Sequence, residues 1–293
     1  MKKEKNRRTG QSQLRLFWRS FRKNKLAVIS LVFIVCLVLV ALFADVIADY
    51  DTVVIKNDIS NRLLPPSAEH WFGTDAFGRD IFARIVHGAR TSLKIGLYTT
   101  AFSIIGGVIL GCISGYYGGI VDSIIMRVCD VFMSIPAMLL ALAIVAALGI
   151  GLFNLTIALT VTQIPSFARI MRSQILSARD SEYIEAARAV GASDAFIIIR
   201  HVIPNTIGPL IVQATQGVAT AVISAAGLSY VGLGVAPPMP EWGMMLSEAR
   251  EFMRQKAYML LFPGAAIVLT ALAFNLFGDG LRDALDPRLK GSK

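Results

Sequence analysis

Side chains able to do chemistry are few and widely separated in these 293 residues. His70, His87 and His201 are too scattered to form an H-E-x-x-H pair or a comparable metal-ligand spacing. Cys36, Cys112 and Cys129 lie in or beside apolar runs without C-x-x-C spacing, which suits small membrane-core residues rather than metal ligands or a disulfide. No G-x-x-x-x-G-K-[ST] cradle for nucleotide phosphates occurs, and "GCISGYYG" lacks the spacing of a serine nucleophile elbow. The expectation is therefore a chain that brings no metal, cofactor or nucleophile of its own. What remains is "EAARAVGASDAFIIIRHVIPN", residues 185–205, with charges of both signs between two long apolar stretches. It reads as a polar hairpin hinged at a glycine. Small alanines beside Glu185 let another backbone approach while the carboxylate seeks an external cation.

Two short helices make up that hairpin. Asp180 and Ser181 are N-cap residues by type, Glu182 places negative charge in the first turn, and Gly191 supplies the C-terminal stop. Tyr183, Ile184, Ala187, Val190 and Gly191 form an apolar stripe expected to lie on the protein's own helices. Glu182, Glu185, Ala186 and Ala189 fall on the opposite face. After the hinge, Ser193 and Asp194 cap a second helix, "AFIIIRHVI", which Pro204 is expected to terminate. Periodicity alone favours an ordinary amphipathic surface helix between spans.

The rest of the chain reads as membrane protein. It is 55% hydrophobic and 17% charged with a formal charge of +9, and much of that charge sits in "MKKEKNRRTGQSQLRLFWRSFRKNK", just before an apolar run. That placement marks a membrane flank and argues against nucleic-acid binding. The run 26–44 is too long for the core of a cleaved leader and reads as an anchor. Runs 95–121, 202–240 and 257–278 each suit one span, since about 20 apolar residues cross the hydrocarbon core. Run 131–168 suits two, turning at Gly149, Gly151 and Asn154, for a total of six. With both termini inside, 20 of the 29 basic residues lie on the inner side; Arg79, Arg84, Arg90 and Lys94 run against the trend. The expected layout is a basic arm (1–25), a first span (26–48), an external loop (49–91), a five-helix core holding the hairpin 181–204 (92–279), and an internal tail (280–293).

An ion-coupled secondary transporter needs ionisable groups near mid-membrane, and the uncharged runs offer none. They leave Asn154, Thr160, Thr162, Gln163, Gln213, Thr215, Gln216 and Asn275 as candidates to line a polar pathway; the alternative is hydrogen bonding between packed helices.

Glu185, Ala186, Ala187, Gly191 and Ile203-Pro204 resemble the EAA motif of permease subunits in bacterial ABC importers. "FGTDAFGRDIFARIVHGARTSLKIG" (72–96), "GLSYVGLGVAPPMPEWGMML" (227–246) and "LAFNLFGDGLRDALDPRLKG" (272–291) are similar to the C-type permease of dipeptide and oligopeptide importers. The resemblance implies an all-α, six-span subunit of the bacterial inner membrane that is not itself an enzyme. It implies a homologous permease partner, two ATPase subunits that bind ATP and Mg, and an external solute-binding protein. By the same resemblance, Glu185, Ala186, Ala187, Arg188, Gly191, Asp194 and Pro204 dock into the ATPase. Members of this group also carry glutathione, nickel complexes and other small solutes, so the solute stays open.

Overall fold

The computed structural model describes residues 13–179 and 181–285. Twelve α-helices occur among the described residues: α1 (Gln13–Phe21), α2 (Lys25–Leu42), α3 (Ala44–Ile47), α4 (Ile81–Tyr117), α5 (Gly119–Ser134), α6 (Ala137–Leu148), α7 (Leu152–Arg179), α8 (Glu182–Ala189), α9 (Asp194–Ile197), α10 (Ile203–Tyr230), α11 (Trp242–Ala249) and α12 (Tyr258–Leu285). The all-α expectation holds. By length and apolar composition α2, α4, α10 and α12 can each cross a membrane, and α5 with α6 would count as a fifth span if taken together. The 28-residue α7 is long enough as well, but Arg169, Arg172 and Arg179 dilute its apolar character.

Three boundaries differ from the sequence reading. The helix α4 begins at Ile81, inside the expected loop, because Asp80 caps it and the charges in its first turns find partners elsewhere. Its 37 residues extend about 55 Å at 1.5 Å each, well beyond a hydrocarbon core of about 30 Å. A break before Pro136 then bends α5 from α6 by 91°. Finally, Pro204 does not end a helix. It sits in the first turn of α10, where its missing N–H is harmless, after a wide π turn over Ile198–Val202.

The helix α4 is the central post. Gly107, Gly111 and Gly115 recur every four residues and bring it against α7. A Cβ at Gly111 would lie 2.6 Å from the Ala168 carbonyl oxygen and 2.6 Å from Met171 Cβ. Small residues at this spacing let two backbones touch, which favours helix association in lipid. Towards its N-terminal end, α4 supports α11. Trp242 is fully buried above Gly88 and donates its indole N–H to the Ile85 carbonyl at 3.1 Å. Asn154, expected to line a path, instead donates its amide to the Leu148 and Gly149 carbonyls at 2.9 and 3.0 Å, finishing α6.

Candidate functional site

Residues 181–204 form a hinged pair of helices docked beneath the C-terminal end of α4. The Ser181 hydroxyl donates back to the Ala178 carbonyl at 2.6 Å, while its own carbonyl accepts the Glu185 amide. Asp180, the other expected cap, lies outside the described residues. The helix α8 stops in a Schellman turn. Gly191 adopts φ +81° and the Ala192 amide returns to the Ala187 carbonyl at 3.1 Å. Ser193 then caps α9, accepting the Phe196 amide at 3.4 Å.

Burial fixes which face points where. Ile184, Ile197 and Val202 are fully buried in one cluster with Cys112, Tyr116, Phe167, Met171, Ile175 and Leu210, so the hairpin is packed against α4, α7 and α10. Asp194 is drawn to the same seam, accepting the Tyr116 hydroxyl at 2.6 Å. Glu182, Glu185, Ala186 and Ala189 are exposed, as expected. The expected inward stripe is only half right: Tyr183 and Gly191 are exposed and Val190 is 83% exposed, because among its described side chains α8 rests on Ile184 and Ala187. With Phe196 and Ile199 also exposed, the outward face joins one carboxylate edge to an apolar surface. Arg188 lies on α8, but its side chain is outside the described set.

Above the hairpin, two ion pairs bind α5 across α7. Arg172 engages Asp122 through two nitrogens at 2.5 and 2.6 Å, and Asp122 also accepts the Ser114 hydroxyl. Arg169 meets Asp130 at 2.5 Å. The membrane helices thus carry charge after all, and these four groups carry it in pairs.

A second charged cluster closes the far end of α4. Arg79 contacts Asp75 at 2.7 Å and Glu248 at 2.7 Å, and Arg84 contacts Asp75 at 2.9 Å. Arg84 also lies 3.1 Å from Glu248, an ion pair without hydrogen-bond alignment. Two cations and two carboxylates therefore neutralise one another almost wholly out of water. Burial pushes the Glu248 carboxyl above its usual range, with the Arg79 guanidinium opposing that rise. Nearby, Glu241 is 1% exposed and caps α11 by accepting the Gly243 and Met244 amides, each at 2.9 Å.

Residues 107–291 match the family described as binding-protein-dependent transport system inner membrane component. Residues 12–66 match the N-terminal TM domain of oligopeptide transport permease C. The chain is 48% identical over 282 residues to the dipeptide transport system permease DppC of Alkalihalophilus pseudofirmus, covering 96% of this chain and 92% of that one. It is 47% identical over 277 residues to the glutathione transport system permease GsiD of Escherichia coli, covering 94% of this chain and 90% of that one. The chain belongs to this permease family.

The inward-facing MetNI methionine ABC transporter shares the fold, with TM-score 0.57 at 22% identity over 69% of this chain and 97% of that one. An amino acid ABC transporter solved with histidines gives TM-score 0.52 at 16% identity, over 69% of this chain and 94% of that one. The permease shares the fold of both.

The polar residues of the permease's spans separate into two groups. Gln163 donates to the Gly217 carbonyl at 3.2 Å, and Gln213 donates to the Ser166 hydroxyl at 3.2 Å, so both clamp α7 to α10. Thr162 and Thr215 bond their own helices, to Leu159 and Val212. Thr160 is partly buried on α7. Gln216 is half-buried, and Asn275 is exposed on α12, apart from the clamp. Sequence reasoning missed the glycine ladder on α4, although its spacing of four was visible. It also missed the Asp75–Arg79–Arg84–Glu248 quartet, whose members become neighbours only in three dimensions.

Proposed function

We propose that this permease is the C-type subunit of an ATP-driven importer of short peptides and forms half of the translocation path. The observation that carries the reading is the hairpin, anchored inward by Ile184, Ile197 and Val202 while Glu182, Glu185, Ala186 and Val190 stay exposed. A surface so firmly held and so uncovered suits a partner. That partner is an ATPase subunit on the cytoplasmic side, one of two, which supplies the ATP and Mg that this chain has no cradle for. Glu185 pairs with a basic group there. Arg188 and Gly191 belong to the same contact, whereas Asp194 and Pro204 shape it from behind.

Six spans follow if α7 and the bent α5–α6 pair each cross, which places both termini inside and residues 49–80 outside. The second half of the path is a homologous permease, and an external binding protein delivers the solute. Gln216 and Asn275 are the amides left to face the path. Similarity to a dipeptide permease and a glutathione permease is nearly equal, and glutathione is itself a tripeptide, so the shared chemistry is a short peptide. A push on the hairpin moves the ends of α4, α7 and α10 together, because one buried cluster joins them.

Reconstitution with the ATPases, partner permease and binding protein tests this. Uptake of labelled dipeptide should require ATP and persist when proton and sodium gradients are collapsed. Uptake that follows a gradient and ignores ATP overturns it. Asp58→Cys should react with an impermeant thiol reagent in intact cells, and Ser193→Cys should not; the reverse pattern overturns the orientation.

A further inference from the structure

The corner between α1 and α2 has a composition that peptide transport does not explain. After Glu4, the next carboxylate in the sequence is Asp45, so every charged side chain between them is cationic. The helix α1 is fixed in place. Phe17 and Phe21 pack with Ala27, Phe277, Leu281 and Ala284, and Phe21 meets the Phe277 ring edge-on at 5.9 Å. Its other side is open: Trp18 is 48% exposed, and Arg19, Arg22, Lys23 and Lys25 are exposed with no ion pair among the described residues. Asp279 and Asp283 of the facing α12 are also exposed and form no ion pair with them.

Depth matters as much as charge. Directly beyond Lys25, Leu26 is 58% and Ile29 63% exposed, so the shaft of α2 presents apolar surface where the four cations end. The amphipathic character of α1, the aromatic at its edge and the cations at the mouth of an apolar shaft all match a helix lying at the headgroup level. Clustered Lys and Arg beside a span attract anionic lipid headgroups.

We propose that the α1–α2 corner binds the phosphate headgroup of an anionic phospholipid, with Arg19, Arg22, Lys23 and Lys25 as the cationic contacts and Trp18 beside the glycerol region. The bound lipid holds α1 in the headgroup layer against α12. This assignment does not depend on which solute is carried.

The test is lipid retention by the assembled transporter purified in mild detergent, with phosphatidylglycerol and phosphatidylcholine vesicles of equal size as donors and mass spectrometry as the readout. The wild type should retain phosphatidylglycerol in preference to phosphatidylcholine. The combined Arg19→Gln, Arg22→Gln, Lys23→Gln, Lys25→Gln variant should lose that preference while still co-purifying with its partner subunits. An excess of inorganic phosphate should not displace the lipid. Equal retention by wild type and variant overturns the proposal. So does displacement by inorganic phosphate, which would mark a general anion site. If the variant fails to assemble, the wild type alone decides, because absence of headgroup preference there is itself fatal. Transport need not be measured, so failure here leaves the peptide-importer reading untouched.

Discussion

The two ends of α4 handle charge in opposite ways. At the Ile81 end, Asp75, Arg79, Arg84 and Glu248 neutralise one another in near-complete burial, tying the preceding loop and α11 to the helix. At the Tyr117 end, the hairpin buries Ile184 and Ile197 and leaves Glu182, Glu185, Val190 and Phe196 uncovered. One end is a finished structure and the other, in the function proposed above, is half of a contact. A buried carboxylate with two arginines has nothing left to offer a partner, whereas an exposed carboxylate beside an apolar edge does.

The largest expected effect lies at the finished end. Glu248→Ala leaves two buried guanidinium groups with one carboxylate, and breaking a buried pair costs about 3–5 kcal/mol. Thermal unfolding of the purified permease should fall sharply, whereas Glu182→Ala, on the exposed hairpin, should stay within about 0.5 kcal/mol. Equal losses from the two would erase the contrast.

Next comes the open end, tested by binding. Glu185→Ala should weaken ATPase docking by about 1.5–3 kcal/mol, the range for a hydrogen bond to a charged group. Co-purification of the ATPase subunits should drop while the variant's own unfolding temperature stays put. A variant that unfolds earlier but keeps its ATPases would make Glu185 part of the fold instead.

The open end was the more legible in sequence because its signals are local. Ser193, Gly191 and the glutamates of α8 act within a few residues of themselves, and their positions matched. The finished end was hidden because its partners are remote. Arg84 and Arg90 looked like loop charges, yet Arg84 meets Glu248 and Arg90 donates to the Ala41 and Leu42 carbonyls and to Asp45, closing α2. A charge that finds such a partner no longer marks the end of a helix. The same blindness applied to Pro204, whose role depends on a π turn that no spacing rule foretells, and to the break at Pro136. The membrane class and the helical core, by contrast, follow from apolar length, which needs no partner.

Between the two ends, Gly111 should show a third behaviour. Its missing Cβ leaves no room beside Ala168 and Met171, so Gly111→Ala is an overpacking change of about 1–3 kcal/mol. The loss should appear as a lower unfolding temperature with ATPase co-purification retained in the protein that remains folded. An unchanged unfolding temperature would mean that α4 and α7 can separate without penalty.

Gly191 offers the smallest effect and the sharpest comparison with Gly111. Nothing lies within 4 Å of a Cβ built there, so volume is irrelevant, but φ is +81°. A side chain in the left-handed region costs roughly 1–2 kcal/mol, and asparagine tolerates that region better than most residues. Gly191→Val should therefore loosen the turn between α8 and α9, raising proteolysis within 182–197 and weakening ATPase co-purification, whereas Gly191→Asn should restore most of both. If valine and asparagine behave alike, backbone angle is not what the hinge requires. If both match the wild type, the hairpin needs no fixed turn to hold its outward face, and the distinction between a closed end and an open one loses its structural basis.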